Sequence, residues 1–501
     1  MSRKEGGKIF GSGSRTPISI TLLVKNPDSK NEKATIHYHD IGDYLSQSEK
    51  LNIVSQFKSG GVDHFPWKQL IPNKEGDWIA QRNKAFDNYI AFEPDKKFDL
   101  KTQSFFNTYA VAVNTGRDAW CYNFSKELLS SNIKSMISFY NDEVTRYSDL
   151  SRNSSKNLLV EDIIDSDSTK ISWTRSLRNE VGKSIKHSFT QDSIRISSYR
   201  PFCKQNLYFN KSFNEAIGLS PKLFPKKNTK NIVICVSPSP NDGLSLLISD
   251  EISNLHFNGD TQCFPLYYYE ENNTVQKGLF DEGSSSEYIR RDGVSDFILE
   301  RAKKQYGKNV TKEDVFYYVY GFLHSPEYRE LFANDLKKML PRLPLLEDVR
   351  DFWAFSKAGR KLAELHLNYE TVPAYEGVTI KQPDVIYQMT TDEMYRVTKM
   401  RFPKKDQKDT IIYNGNITIN NIPAKAYDYV VNGKSAIEWI MERYQITIHK
   451  DSGIKNDPND WSTEVEKPSY IFDLLLSVIN VSVQTVEIVE GLPKGQVATC
   501  P

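Results

Sequence analysis

The chain has 501 residues, room for roughly two to four domains, with 39% hydrophobic content and a net charge of only +1. Overall charge therefore singles out no polyanionic partner, and no run of 18 apolar residues argues for a membrane span. The five cysteines (Cys121, Cys203, Cys235, Cys263, Cys500) form no CxxC pair, which favours free thiols in a reducing cytoplasm over a disulfide frame or zinc site.

The N-terminal segment through Pro17 lacks the apolar stretch of a secretory signal. Phe10-Gly-Ser-Gly13 resembles a cofactor loop, but a strand-like run follows the glycines where a helix is needed, so it is read as a turn. Ile18–Val24 and Ala34–His39, separated by Asn26-Pro27-Asp28, are expected to form a hairpin. An isolated hairpin is marginal in water, so residues 1 to about 45 read as the end of a larger sheet. His37 and His39 share a strand face without a third ligand nearby.

Helical spacing marks 50–58 and 125–147, and Tyr109–Val113 reads as a short strand. Between Lys170 and Lys230 stand thirteen Lys or Arg against three acids, whereas 241–300 holds twelve acids and three bases. Aromatic residues interleave with those cations at Trp173, Tyr199 and Tyr208. Such a stretch suits a polyanion: cations meet phosphates, an arginine fork reads guanine, and rings stack on bases. The bland reading pairs these cations with the acidic span that follows.

From Val315 to Tyr369 two helical patterns flank a bend at Pro341 and Pro344. The stretch is too apolar for a solvated linker and reads as a joint between domains. Downstream, Ile411–Ile419 reads as a hairpin about Asn414-Gly415, Ser435 as a helix cap, and Asp473–Val483 as an apolar helix. Gly433-Lys434-Ser435 lacks the upstream glycine of a phosphate loop, which is Asp428 here. Pro383-Asp384 with Asp406-Gln407-Lys408 is only a loose nuclease pattern. His324 and His366 lie in helical stretches and are read as packed or surface residues.

Ser198-Tyr-Arg-Pro-Phe202, Leu207-Tyr-Phe209, Phe264-Pro-Leu-Tyr-Tyr268, Tyr320-Gly-Phe-Leu-His-Ser-Pro-Glu-Tyr-Arg329, Pro341-Arg-Leu-Pro344 and Gly359-Arg-Lys-Leu-Ala-Glu-Leu-His366 resemble one family. Ser435-Ala-Ile-Glu-Trp-Ile440 and Ser452-Gly-Ile-Lys-Asn-Asp-Pro458 join them in the same order. The family is the C-terminal specificity domain of type ISP restriction–modification enzymes, in which a nuclease, a helicase motor and an N6-adenine methyltransferase precede the target recognition domain. The resemblance implies an α+β, multi-lobed fold with mixed sheets, a helical connector, a C-terminal α/β cap and an N-terminal hairpin left from a methyltransferase sheet. The expected division is a methyltransferase remnant at 1–45, a target recognition lobe at 46–290, a helical connector at 291–370 and a capping lobe at 371–501.

The sequence departs from the full enzymes: it contains no Asn-Pro-Pro-Tyr loop, no strand–glycine–helix cofactor site, and no helicase or nuclease motif. The expected function is therefore sequence-specific recognition of double-stranded DNA, with no catalytic, cofactor or metal residue in this chain. S-adenosylmethionine and ATP/Mg are implied for the full-length family only. One alternative is half of a split adenine methyltransferase that works with a separate methyltransferase, helicase or nuclease polypeptide. Another is a non-DNA interaction protein or an inert gene fragment. The candidate DNA-binding residues are Trp173, Arg175, Arg178, Lys183, Tyr199, Arg200, Lys204, Lys211, Lys226 and Lys227. Replacing Lys226 and Lys227 together by Ala is expected to flatten the salt dependence of DNA binding, measured by titration at several ionic strengths. An unchanged slope would remove both from the phosphate contacts.

Overall fold

A computed structural model describes residues 18–30, 33–56, 66–98, 101–154, 158–239, 243–272, 287–382 and 389–495. The chain divides into two units, Met1–Asn83 and Lys84–Pro501. In the first, Ile36–Tyr38 pairs antiparallel with Lys68–Leu70, and Gln47–Gln56 is helical. The expected hairpin with Ile18–Val24 does not form: residues 18–24 are exposed and carry no ladder. The turn at Asn26 is present, with its side chain accepting from the Asp28 backbone N–H at 3.0 Å. Strand propensity without a partner edge does not make a strand, and Lys68–Leu70 supplies that edge to Ile36–Tyr38 instead. The loop Gly11–Pro17 lies outside the described residues.

The second unit is built on two four-stranded sheets. In chain order its elements include β1 (Ala110–Val111), β2 (Tyr122–Asn123), helix α1 (Lys126–Asn153) and helix α2 (Arg175–Gly182). Then come β3 (Ile194–Arg200), β4 (Cys203–Tyr208), β5 (Val233–Ser239), β6 (Gly243–Ser249), β7 (Ile252–Ser253) and β8 (Gln262–Pro265). The first sheet runs β7-β3-β4-β2 and the second β1-β8-β5-β6. Helix α1 starts where the Ser125 hydroxyl accepts from the Leu128 N–H, and it buries Leu129, Ile133, Met136, Ile137, Tyr140 and Val144 at helical spacing.

The second sheet separates two hydrophobic cores. Val233, Cys235, Leu247 and Cys263 face one, while Ile234, Val236, Leu246, Ile248 and Phe264 face the other. Alternate residues must point to opposite faces, so a strand covered on both sides reads as an unbroken apolar run. The string Ile232-Val-Ile-Cys-Val236 is that run.

The stretch from Val315 to Tyr369 is largely helical, as its spacing predicts. Helix α3 (Lys312–Phe322) opens with a capping box between Thr311 and Asp314. The apolar pattern that continues past Leu323 is broken at Ser325, which caps a new short helix, Pro326–Leu331. In the proline bend Arg342–Leu343 pairs with Ile90–Ala91, and helix α4 (Val349–Leu367) follows, capped by Asp348.

Helices α3 and α4 touch at two glycines. A Cβ on Gly321 would lie 2.1 Å from the Phe355 carbonyl oxygen, and one on Gly359 1.8 Å from that of Tyr317. Rings close around the crossing, Tyr318 on Phe352 at 5.0 Å and Phe322 on Phe355 at 5.0 Å.

The C-terminal part carries a hairpin of β9 (Thr447–Ile448) and β10 (Lys455–Asn456), and helix α5 (Tyr470–Glu490). Helix α5 is long and apolar enough to cross a membrane, but 67% of its most apolar stretch is buried inside the chain, as in a core helix. The turn at Asn414-Gly415 forms as expected, Ile412 opposite Thr418, with the Asn414 side chain accepting from Asn416 and Ile417.

Because the clash at Gly359 is with backbone, neither helix can yield without moving the joint. Gly359→Ala is expected to destabilise by about 1–3 kcal/mol or more in urea unfolding. Gly415→Ala, with open space at the added Cβ, should be nearly neutral.

Candidate functional site

A cleft of about 740 Å³ opens in the second unit. Its walls come from the turn before β2, the segment leading into α2, Tyr199 on β3, and the β9–β10 hairpin.

The turn is made by short polar side chains. The Asn114 carbonyl oxygen of its amide accepts from the Gly116 N–H at 2.9 Å, and the Thr115 hydroxyl accepts from the Arg117 N–H at 3.1 Å while donating to Asp118 at 2.5 Å. Gly116 sits at φ +64°, and an added Cβ would press on Glu215 at 3.2 Å. This geometry turns Arg117 inward, to 4% exposure. Its Nη2 donates to the Thr174 hydroxyl at 2.6 Å, while Nε and Nη1 have no hydrogen-bond partner. The same Thr174 hydroxyl caps α2 by accepting from Leu177, so Arg117 is tied to the helix that carries Arg178. Arg178 lines the cleft too, and its buried Nε is likewise unpartnered. Burial holds the Arg117 guanidinium below its usual basicity, against the opposing pull of Cys121, Glu215 and Glu180. Buried donors without acceptors cost about 1–3 kcal/mol each, more when charged.

Aromatic rings complete the lining. Trp173 is half-buried, donates Nε1–H to the Asp165 carbonyl at 2.8 Å, and lies 5.9 Å from Tyr140. Tyr199 packs on Tyr122 at 4.6 Å and under the Arg200 guanidinium at 4.0 Å. Burial, with Asp118 helping and Arg200 opposing, pushes the Tyr199 phenol up to about 12.

Trp173, Arg178 and Tyr199 are thus brought together, and the other expected DNA residues are dispersed. Arg200 donates to Asn254 at 2.7 Å and to its neighbour's carbonyl at 2.6 Å, and pairs with Asp118 at 3.3 Å. Lys204 pairs with Glu370 at 2.7 Å. Burial lowers the Lys204 pKa, but Glu370 and Asp250 outweigh it and the net shift is upward. Lys226 meets Glu287 of the acidic span at 2.5 Å, both largely exposed. Arg175, Lys183, Lys211 and Lys227 are exposed.

Pattern reading passed over two features. Arg117 was visible only as part of a polar turn, and the β9–β10 hairpin only as part of a capping unit. The stray motifs have structural roles where they are described: Ser435 caps the helix Ala436–Arg443 and Lys434 pairs with Glu442, while Lys408 pairs with Glu438 at 3.2 Å. Pro383-Asp384 lies outside the described residues.

The family model of the type ISP C-terminal specificity domain matches residues 104–474. Among solved structures, a nuclease-deletion mutant of the type ISP restriction–modification enzyme LlaGI, in complex with a DNA substrate mimic, superposes with a TM-score of 0.83 at 40% identity. The match covers 98% of this chain and 42% of that one. The ATP-dependent type ISP enzyme LlaBIII bound to DNA follows with 0.79 at 35% identity, over 92% of this chain and 28% of that one. A DrdV–DNA complex gives 0.74 at 26% identity, over 92% and 43%. The chain therefore spans less than half the length of each of these structures. Curated proteins yield no match.

The carboxyl of Glu251, near Lys204 and Arg195, is pushed up to about 7, chiefly by burial and then by Asp250. A carboxyl that holds its proton more tightly when folded makes the fold lose stability as pH rises from about 4.5 to about 7. Glu251→Gln should raise the melting temperature relative to the parent at pH 8 and leave it unchanged at pH 4. A loss at pH 8 with none at pH 4 would show instead that the carboxylate is needed as a charge.

Proposed function

The chain belongs to the type ISP C-terminal specificity domain family, and on that premise we propose that it recognises double-stranded DNA by sequence through the Arg117–Arg178 cleft. One observation carries the proposal: two arginines, Arg117 and Arg178, line one cleft together with Trp173 and Tyr199. Guanidinium forks match guanine O6 and N7 or a phosphate, and few other soluble ligands offer rows of such acceptors next to flat rings. The DNA in the LlaGI, LlaBIII and DrdV complexes supports the same reading.

Within it, Arg178 reads a base edge and Trp173 and Tyr199 offer flat contact. Arg175, Lys183, Lys211, Lys226 and Lys227 serve as phosphate contacts that position the duplex without reading sequence. The exposed Lys226–Glu287 pair is weak enough to yield to phosphate. Arg200 and Lys204, already bound to carboxylates, hold Tyr199 and the β3–β4 pair in place. Methylation, translocation and cleavage belong to modules with their own S-adenosylmethionine and ATP/Mg sites.

The test is fluorescence anisotropy with a random duplex pool and with the duplex selected from it. Arg178→Ala is expected to weaken binding to the selected duplex by about 1–3 kcal/mol and to level the difference between the two. Equal affinity of variant and parent for both would take the cleft out of the DNA interface.

A further inference from the structure

The C-terminal hairpin forms one wall of the cleft, although it is separated in sequence from the other walls by more than two hundred positions. Its base is pinned to the first sheet. Asn123 donates to the Lys455 carbonyl at 3.1 Å, the Phe124 N–H donates to the Asn456 side chain at 2.9 Å, and Asn456 donates to Gln205 at 3.2 Å. Near the tip, the Ser168 hydroxyl donates to the Asp451 carbonyl at 2.9 Å, so the hairpin is braced against the segment that leads to Trp173.

The tip is closed by its own bonds. Gly453, at φ +69°, donates its N–H to the His449 carbonyl at 2.8 Å, and the His449 N–H donates to the Ile454 carbonyl at 2.9 Å. The His449 ring accepts at Nδ1 from the Ser452 backbone N–H at 3.2 Å, and the Ser452 hydroxyl lies 2.9 Å from the same nitrogen. A backbone N–H can only donate, so Nδ1 is the acceptor and the proton of the neutral ring sits on Nε2. Among the described residues nothing bonds to Nε2 or pairs with the neighbouring Lys450, and Ile448 is 69% exposed on the same wall.

We propose that this hairpin is a second recognition element, a β-ribbon whose tip places the Nε2–H of His449 on an acceptor of a base edge and the Lys450 ammonium on a phosphate, opposite Arg178. The inference rests on the DNA reading of the cleft. A two-stranded ribbon fits the major groove, where guanine presents two acceptors and thymine a methyl group that suits Ile448. The pinned base supplies the rigid placement that reading an edge requires.

The experiment uses the full chain, with the selected duplex and its single-base variants read by anisotropy across a salt series. His449→Ala is expected to lose about tenfold discrimination at one base pair and keep the salt slope, and His449→Gln, which retains a donor, to recover part of it. Lys450→Ala should weaken all duplexes alike and lower the salt slope by about 1. Both side chains are exposed on a loop tip, and unchanged melting temperatures will show that the variants fold. If both alanine variants match the parent while Arg178→Ala loses binding, the hairpin is only a wall and the proposal is overturned with the cleft reading intact. If Arg178→Ala also matches the parent, the DNA reading of the cleft falls together with the proposal.

Discussion

The cleft exists because a few buried amides tie together parts of the chain that are far apart in sequence. Asn123 and Lys455 stand 332 positions apart, as do Phe124 and Asn456. Asn206 adds a bond to the Phe124 carbonyl at 3.0 Å and one to Glu464 at 3.2 Å. A buried amide left unpaired is costly, while a fully paired one admits a single register. These side chains therefore hold the hairpin beside β2 and β4 and set the width of the opening.

Behind this contact the joint removes the remaining freedom. The second sheet is covered on both faces, so neither core can slide along it without exposing apolar surface. Helices α3 and α4 meet backbone to backbone at Gly321 and Gly359. Where α4 reaches α5, the His366 ring bridges Tyr320 at 2.6 Å and Thr485 at 2.9 Å. Burial, with His324 adding to it, holds His366 well below the usual histidine range, so it remains neutral and works as a hydrogen-bond bridge. The proposed reading of base edges would need such stiffness behind it.

Charge is the property most altered by folding. The excess of cations between 170 and 230 is real in sequence, but the structure spends part of it internally. Arg195 donates to the Phe224 and Lys226 carbonyls, Arg200 and Lys204 bind carboxylates, and Lys226 meets the acidic span. The bland reading therefore holds for Lys226, while Arg175, Lys183, Lys211 and Lys227 stay exposed. The Ser198–Phe202 string has a structural explanation as well. It is a bulged strand end and tight turn, with Phe202 at φ 57° and its ring buried against Tyr369 at 5.3 Å.

The family, the helical stretch with its proline bend and the Asn414-Gly415 hairpin are legible in the sequence alone. All of these rest on local order: apolar spacing, capping residues, turn chemistry and ordered short strings. Long-range folding settles that Ile36–Tyr38 pairs with Lys68–Leu70, that Arg117 is turned inward with unmet donors, and that a C-terminal hairpin lines the same cleft as Arg178. The physical reason is the same in each case. A side chain's partner, and therefore whether its charge or donor is free, depends on what the fold brings from hundreds of residues away, and no local pattern carries that information.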